Sequence, residues 1–272
     1  MKLSKKDIVQ RRVDLMTAEG IKFITNTHIG QDLSASELYD ANDAVILAMG
    51  ATRPRDLPIP NRNSTGIHFA MEFLQTWQQR QWGDQVDHEK ISAQGLDVIV
   101  IGGGDTGNDC IGTSIRQGAK SITTFEILPQ PPDSRGQDNP WPQYPRVFKV
   151  DYGHEEVKVK FGDDPRRFNT QSKEFLVDDN GRVSGIRTVL VEWTRVNGRW
   201  QMTEVPDSEK IYPCQLVLLA MGFLGNFFFL VKLKEVNFLV RIFYFSRQND
   251  ALIFSSVSLF CDSDFFAKSK VV

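Results

Sequence analysis

Three glycines, Gly102, Gly104 and Gly107, stand at the spacing G-x-G-x-x-G directly after a run of apolar residues. Such a turn can bind a pyrophosphate. Its first glycine permits a tight turn, its second lets the backbone approach the phosphates, and its third lets a following helix pack on the preceding strand. The helix adds N–H groups and the positive end of its dipole. The residues expected to contact a dinucleotide here are Gly102, Gly103, Gly104, Asp105, Thr106 and Gly107.

Apolar residues on both sides place this turn between a strand and a helix. Residues 96–101 (LDVIVI) contain five apolar residues out of six, which is typical of a strand buried on both faces. Ile111 and Ile115 are four residues apart and so lie on one face of a following helix, which Gly118 is placed to end.

A second strand brings an acidic residue to the expected position. Residues 121–127 (SITTFEI) are rich in β-branched and aromatic side chains, and Glu126 follows Gly102 by 24 positions. In dinucleotide-binding units a carboxylate about 20 residues after the glycines binds a ribose 2′-hydroxyl, and we expect Glu126 to do the same. The alternative is a glycine-rich turn of another α/β protein, in which Glu126 is merely solvated.

The composition is that of an ordinary globular protein. The chain has 272 residues, enough for about two domains, and its net charge of −2 gives no general attraction to nucleic acid or to an anionic membrane. Cys110, Cys214 and Cys261 are far apart, so no metal site is expected from neighbouring cysteines. The N-terminus lacks the apolar segment of a signal peptide. His68 and His154 show no partner pattern and are predicted to be surface or loop residues.

The first 52 residues contain weaker patterns. We predict a helix over residues 4–19, a short strand over residues 21–24, and a short helix capped by Ser34 or Ser36. Residues 43–52 (DAVILAMGAT) are predicted to form a buried strand that ends in a turn of small residues.

Proline-rich and polar segments separate the stronger patterns. Residues 53–60 predict a stiff connector suited to a crossing between domains, residues 72–80 a helix, and residues 80–95 a linker. Residues 128–146 contain six prolines and predict a long irregular loop whose aromatic residues favour a lid or an interface. Residues 173–205 predict an antiparallel meander with an Asn-Gly hairpin turn.

One apolar pattern occurs twice, since residues 45–50 are VILAMG and residues 217–222 are VLLAMG. The two copies bracket the dinucleotide-binding unit. They predict that the chain crosses twice between this unit and a second domain, which the unit interrupts.

Together these features resemble the flavin-containing small subunit, or the C-terminal region, of glutamate synthase, within the wider family of two-dinucleotide-domain flavoprotein reductases. The similarity covers residues 1–225. The segments that carry it are 10–16 (QRRVDLM), 48–52 (AMGAT), 102–110 (GGGDTGNDC), 114–119 (SIRQGA), 128–132 (LPQPP), 139–142 (NPWP), 150–154 (VDYGH) and 219–225 (LAMGFLG).

The resemblance implies an α/β fold in which a Rossmann-like NAD-binding domain is inserted in a truncated FAD-binding domain. It implies that NAD(P)H on the central domain passes a hydride to FAD. Electrons then reach a large glutaminase and synthase region, which makes glutamate from glutamine and 2-oxoglutarate. No catalytic side chain is expected, because the cofactors do the redox chemistry. No nucleic-acid or membrane partner is expected.

Glu126 favours NADH over NADPH. A carboxylate accepts hydrogen bonds from ribose hydroxyls but repels a 2′-phosphate. Relatives that use NADPH would be expected to place arginines just after this strand, whereas residues 127–130 are ILPQ.

The flavin half departs from the family pattern. No G-x-G-x-x-G precedes residue 30, and no Ala-Gly-Asp motif follows Gly225. We therefore predict a partial FAD-binding domain and linker at residues 1–92, an NAD(P)-binding domain with its meander at residues 93–222, and an atypical tail at residues 223–272.

The resemblance places Gly50, Ala51 and Thr52, and also Gly222, near the flavin. Residues 226–272 contain no glycine or proline but ten of the 19 phenylalanines, which we interpret as sequence foreign to the family. The competing hypothesis for the whole chain is a truncated nucleotide-binding fragment that catalyses nothing.

Overall fold

A parallel five-stranded sheet carries the glycine turn. The computed structural model describes residues 6–46, 48, 50–83, 91–225, 240–248 and 251–259. The helices are α1 (Lys6–Ala18), α2 (Ala35–Asp40), α3 (Ala70–Trp82), α4 (Asp105–Gln117) and α5 (Tyr152–Phe161). The strands are β1 (Ile67–Phe69), β2 (Asp97–Ile101), β3 (Ser121–Phe125), β4 (Arg166–Arg167), β5 (Thr170–Val177), β6 (Val183–Val196), β7 (Arg199–Glu204), β8 (Lys210–Pro213), β9 (Leu216–Leu219), β10 (Val240–Gln248) and β11 (Ala251–Leu259).

Strand β2 occupies the centre of the parallel sheet, whose order is β1-β9-β2-β3-β4. Its partner β3 follows one helix later, whereas its other partner, β9, comes more than a hundred residues later in the chain. At the carboxyl end of the sheet, Ile101 lies opposite Phe125 of β3 and Leu219 of β9. The glycine turn therefore leaves the middle of the sheet at the edge where α/β proteins bind ligands.

The side chains of β2 are buried on both faces of the sheet. Val98 and Val100 join one apolar cluster, and Ile99 and Ile101 join the other, each at most 8% exposed. A strand covered on both faces needs apolar residues at successive positions, which accounts for the uninterrupted run in the sequence.

Different layers cover the two faces. Phe73 of α3, Ile111 of α4 and Val157 of α5 pack on one face. Phe175 of β5 and Ile186 of β6 belong to the antiparallel meander β5-β6-β7, to which β8 adds by pairing with β6, and they pack on the other face. Burial of these large side chains supplies the main driving force for folding of this unit.

Most of the predicted elements are confirmed. Helix α2 begins at Ser34, whose hydroxyl accepts from the Glu37 amide at 3.1 Å while the Glu37 carboxylate accepts from the Ser34 amide at 2.9 Å. In the hairpin between β6 and β7, Asn197 and Gly198 have φ angles of +50° and +79°, as a two-residue hairpin turn requires. Residues 128–146 form a loop without helix or strand.

Two of the predicted strands are wrong. Residues 21–24 and the described part of residues 43–52 form no strand, and Ile24 and Ile46 are 77% and 87% exposed. A strand persists only where a neighbouring strand takes up its backbone hydrogen bonds. No strand among the described residues pairs with either segment.

Contacts divide the chain into two units. One contains Pro54–Pro140 and Pro145–Leu224, and the other contains residues 6–53, Trp141–Tyr144 and the described residues from Gly225 onward. The second unit includes the antiparallel hairpin of β10 and β11. The predicted domain boundaries stay predictions, and much of the predicted linker and tail lies outside the described residues.

The prediction that the two histidines lie on the surface or in loops is wrong for His154. His68 lies in β1 and is half-buried. His154 lies in α5, is 5% exposed, and accepts a hydrogen bond at Nδ1 from the Asp151 amide at 3.1 Å. Burial and the nearby Arg166 guanidinium lower the pKa of His154 to about 4, against the opposing effect of Asp164 and Asp151.

His154 should make stability depend on pH. Its folded pKa of about 4 lies below its unfolded value of 6.5, so the unfolded chain binds more protons between these values. The free energy of unfolding should therefore fall as pH is lowered through this window. The His154→Gln variant retains an acceptor for the capping bond but does not titrate. Urea unfolding between about pH 6.5 and pH 5 should show a flatter pH dependence for this variant. Equal pH dependence in the two proteins would contradict the assignment.

Candidate functional site

The first glycine of the motif lies where two strand ends meet. Gly102 has φ +107°, and its amide donates to the Phe125 carbonyl at 3.0 Å. A Cβ at this position would lie 2.4 Å from the carbonyl oxygen of Ala220, just after β9. Both the positive φ and the close backbone approach therefore require glycine here.

The third glycine joins the helix to the turn. Gly107 is buried in the first turns of α4, and a Cβ there would lie 2.3 Å from the Gly102 carbonyl oxygen. Helix α4 therefore lies directly on the backbone of the turn, with no space for a side chain between them. This is the role expected of the third glycine in such a motif.

The second glycine faces open space. Gly104 is the N-cap of α4, and a Cβ there would meet nothing within 4 Å. Gly103, Gly104 and Asp105 are exposed, and Thr106 is half-buried. The first N–H groups of a helix have no intrahelical partner, and an N-cap glycine supplies no side-chain oxygen to satisfy them. The exposed amino end of α4 thus has no side-chain cap from its N-cap residue, and the helix dipole there favours an anion.

The carboxylate of Glu126 lies against the same turn. A Cβ on Gly103 would lie 1.3 Å from Glu126 Oε1, so any other residue at this position would displace the carboxylate. The structure thus brings together the two features that the sequence predicted separately, the glycine turn and the acidic residue after β3. A carboxylate beside an open helix N-terminus fits the ribose and the pyrophosphate of a dinucleotide.

Helix α5, which the sequence patterns did not predict, supports the first turns of α4. The buried side chain of Asn108 accepts from the Gly153 amide at 3.0 Å, and the Tyr152 hydroxyl donates to Asp109. Burial and this carboxylate raise the pKa of Tyr152. The signals for α5 were an aspartate N-cap at Asp151 and a C-terminal glycine ten residues after Tyr152, but the intervening residues are only weakly amphipathic.

The remaining predicted residues lie elsewhere. Gly50, Ala51 and Thr52 belong to the other unit, are exposed, and lie outside helices and strands. Gly222, with φ +81°, follows β9, and its carbonyl accepts from the Arg55 amide at 2.9 Å.

The described part of the chain offers neither a metal site nor a membrane-spanning helix. There, no three histidine, cysteine or carboxylate side chains are grouped so that they could hold a metal ion. No helix in the same residues has the length and apolar character needed to cross a membrane.

Comparison with known families gives the context of this site. Residues 4–226 match the family described as pyridine nucleotide-disulphide oxidoreductase. The chain belongs to this family. The matched residues include the glycine turn. The family is one of oxidoreductases, and it is named for pyridine nucleotides.

Two curated relatives are similar over most of this chain. Glutamate synthase [NADH] of Schizosaccharomyces pombe is 56% identical over 229 residues, which are 83% of this chain and 11% of that protein. The glutamate synthase [NADPH] small chain of Bacillus subtilis is 45% identical over 240 residues, which are 87% of this chain and 48% of that protein. The chain thus spans about a tenth of the length of the first relative and about half of the length of the second.

A solved structure shares the fold. FprA of Mycobacterium tuberculosis, determined in complex with NADPH, superposes with a TM-score of 0.54 at 20% identity, over 81% of this chain and 59% of that chain. The family match and this likeness confirm the predicted fold class, the α/β fold of two-dinucleotide-domain flavoprotein reductases.

The glycines of the turn should have separable roles. Gly107→Ala forces a Cβ against the Gly102 carbonyl, so the free energy of unfolding should fall by about 1–3 kcal/mol. Gly104→Ala, at φ −75° and in open space, meets no clash and should cost less than about 1 kcal/mol, the loss expected because alanine is a poorer N-cap residue than glycine. Urea unfolding of both variants beside the parent measures this difference. Equal losses in the two variants would contradict the close helix contact.

Proposed function

We propose that this chain is the NADH-binding part of a glutamate-synthase-type electron-transfer module. The observation that carries the proposal is the Glu126 carboxylate lying against Gly103, beside the open amino end of α4. The 56% identity to glutamate synthase [NADH] of Schizosaccharomyces pombe supports the assignment to this type of enzyme. When bound, NADH supplies a hydride that reduces a flavin.

The chain's own residues bind and orient the nucleotide. The backbone N–H groups at the start of α4, from Asp105 to Gly107, face the pyrophosphate, and Gly104 leaves room for it. Glu126 accepts hydrogen bonds from the ribose hydroxyls. Asp105 begins the helix, where a carboxylate favours the dipole, and would have to point away from the phosphates because like charges repel. The open space beside Gly104 fits a pyrophosphate, because a side chain at this position would occupy that space.

The charge of Glu126 favours NADH. Two like charges at about 4 Å repel by about 1 kcal/mol in water and about 4 kcal/mol near a protein surface. This corresponds to a preference over NADPH between about fivefold and about a thousandfold. The relatives are named for both cofactors, and we assign the preference of this chain to the Glu126 carboxylate.

The flavin and the acceptor complete the proposal. We assign flavin contacts to Gly50, Ala51 and Thr52 and, separately, to Gly222. A Cβ at Gly50 or Gly222 would meet nothing within 4 Å, which supports room for a ligand at each position. Electrons then pass to a glutaminase and synthase region like those of the relatives, which makes glutamate from glutamine and 2-oxoglutarate.

Replacing Glu126 should change both affinity and selectivity. Glu126→Ala should weaken NADH binding about tenfold and bring the dissociation constants of NADH and NADPH closer together, because it removes hydroxyl acceptors and the repulsion of a phosphate. Fluorescence titration with each nucleotide measures both constants. Glu192→Gln, on the exposed side of β6, is the matched control for loss of a carboxylate. Unchanged constants in Glu126→Ala would remove Glu126 from the ribose site.

A further inference from the structure

The segment directly after β3 forms backbone hydrogen bonds with the end of β4, the start of β5 and the residues between them. The amide of Glu126 donates to the Arg167 carbonyl at 2.9 Å, and its carbonyl accepts from the Thr170 amide at 2.8 Å. Two residues further on, the carbonyl of Leu128 accepts from the Asn169 amide at 3.1 Å. These backbone bonds continue the sheet past its last regular pair.

The carbonyl between them is bound by a side chain from the meander. The oxygen of Ile127 accepts from the indole Nε1–H of Trp193 at 2.8 Å. Trp193 lies on β6 opposite Met202 of β7, just beyond the buried Val191 and where the hairpin becomes exposed. A single long-range donor therefore links the outer hairpin to the residue that follows Glu126.

We propose that Trp193 is a positioning residue of the ribose site and sets its selectivity between NADH and NADPH. By binding the Ile127 carbonyl, it fixes the backbone from which the Glu126 side chain reaches the turn at Gly103. This inference rests on the proposed function, in which Glu126 binds the ribose hydroxyls and repels a 2′-phosphate.

The geometry makes backbone position decisive here. The Glu126 carboxylate lies close to Gly103. A shift of the Glu126 backbone would therefore either separate the carboxylate from the glycine turn or make it clash with the turn. Ile127 and Leu128 are 43% and 55% exposed, so packing contributes little to holding this segment. Hydrogen bonds to its carbonyls do so instead, and the bond from Trp193 is the one that a side-chain substitution can remove.

Substitutions at Trp193 can separate the donor from the ring. Trp193→Phe keeps an aromatic ring without the N–H. Trp193→His restores a ring donor, because the imidazole Nε2 occupies the same place in a five-membered ring as the indole Nε1. Trp200→Phe, on the same hairpin and 67% exposed, is the control for loss of a tryptophan.

The experiment measures the dissociation constants of NADH and NADPH for these variants of the 272-residue chain by fluorescence titration, at about pH 8, where imidazole is neutral. Removing the donor should lower the NADH-over-NADPH preference by about two- to tenfold in Trp193→Phe. Trp193→His should recover most of the preference, and Trp200→Phe should match the parent. In the Glu126→Ala background Trp193→Phe should have no further effect, because Trp193 acts through Glu126.

Other results would overturn the inference in distinct ways. If Glu126→Ala abolishes the preference but Trp193→Phe leaves it unchanged, the ribose site stands and Trp193 does not position it. An equal effect of Trp193→Phe with and without Glu126, or a loss that histidine does not restore, would assign Trp193 to packing alone. A parent chain that binds neither nucleotide would overturn both this inference and the proposed function.

Discussion

The site depends on a close backbone contact that leaves no space for side chains. The end of β2 turns beneath α4, with the Gly102 carbonyl 2.3 Å from where a Gly107 Cβ would lie. On its other side the same turn lies against the backbone after β9. A Cβ on Gly102 would lie 2.4 Å from the carbonyl oxygen of Ala220 there. Because glycines stand at both contacts, the helix begins at the sheet edge and points its amino end outward. The proposed pyrophosphate contacts follow from that placement.

The two layers around the sheet have different tasks. Helices α3, α4 and α5 bury the face formed by Val98 and Val100, and α5 also holds the first turns of α4 through Asn108. The meander buries the face formed by Ile99 and Ile101 and reaches the segment after β3. Helices thus support the proposed phosphate side of the site, and strands support its proposed ribose side. The continuous apolar run in β2 is what lets both layers attach to one strand.

Local patterns in the sequence predicted much of this arrangement. Patterns of residues close together in the chain predict five features, and all are present: the G-x-G-x-x-G turn, β2, β3, α4 and the hairpin at Asn197. The strand expected at residues 43–52 is absent from the described part of that segment, because apolar composition does not supply a pairing partner and none of the described strands pairs with it. The burial of His154 and the bond from Trp193 to Ile127 arise between residues distant in sequence, and no spacing rule could give them.

The most direct test of the account locates NADH on the chain. Selective ¹⁵N labelling of glycine gives one amide signal for each of the 20 glycines, and the turn signals can be assigned through Gly→Ala variants. On titration with NADH, the largest shifts are expected at Gly103, Gly104 and Gly107. Shifts confined to Gly181 and Gly198, in the turns of the meander, would contradict it, as would a spectrum that NADH leaves unchanged.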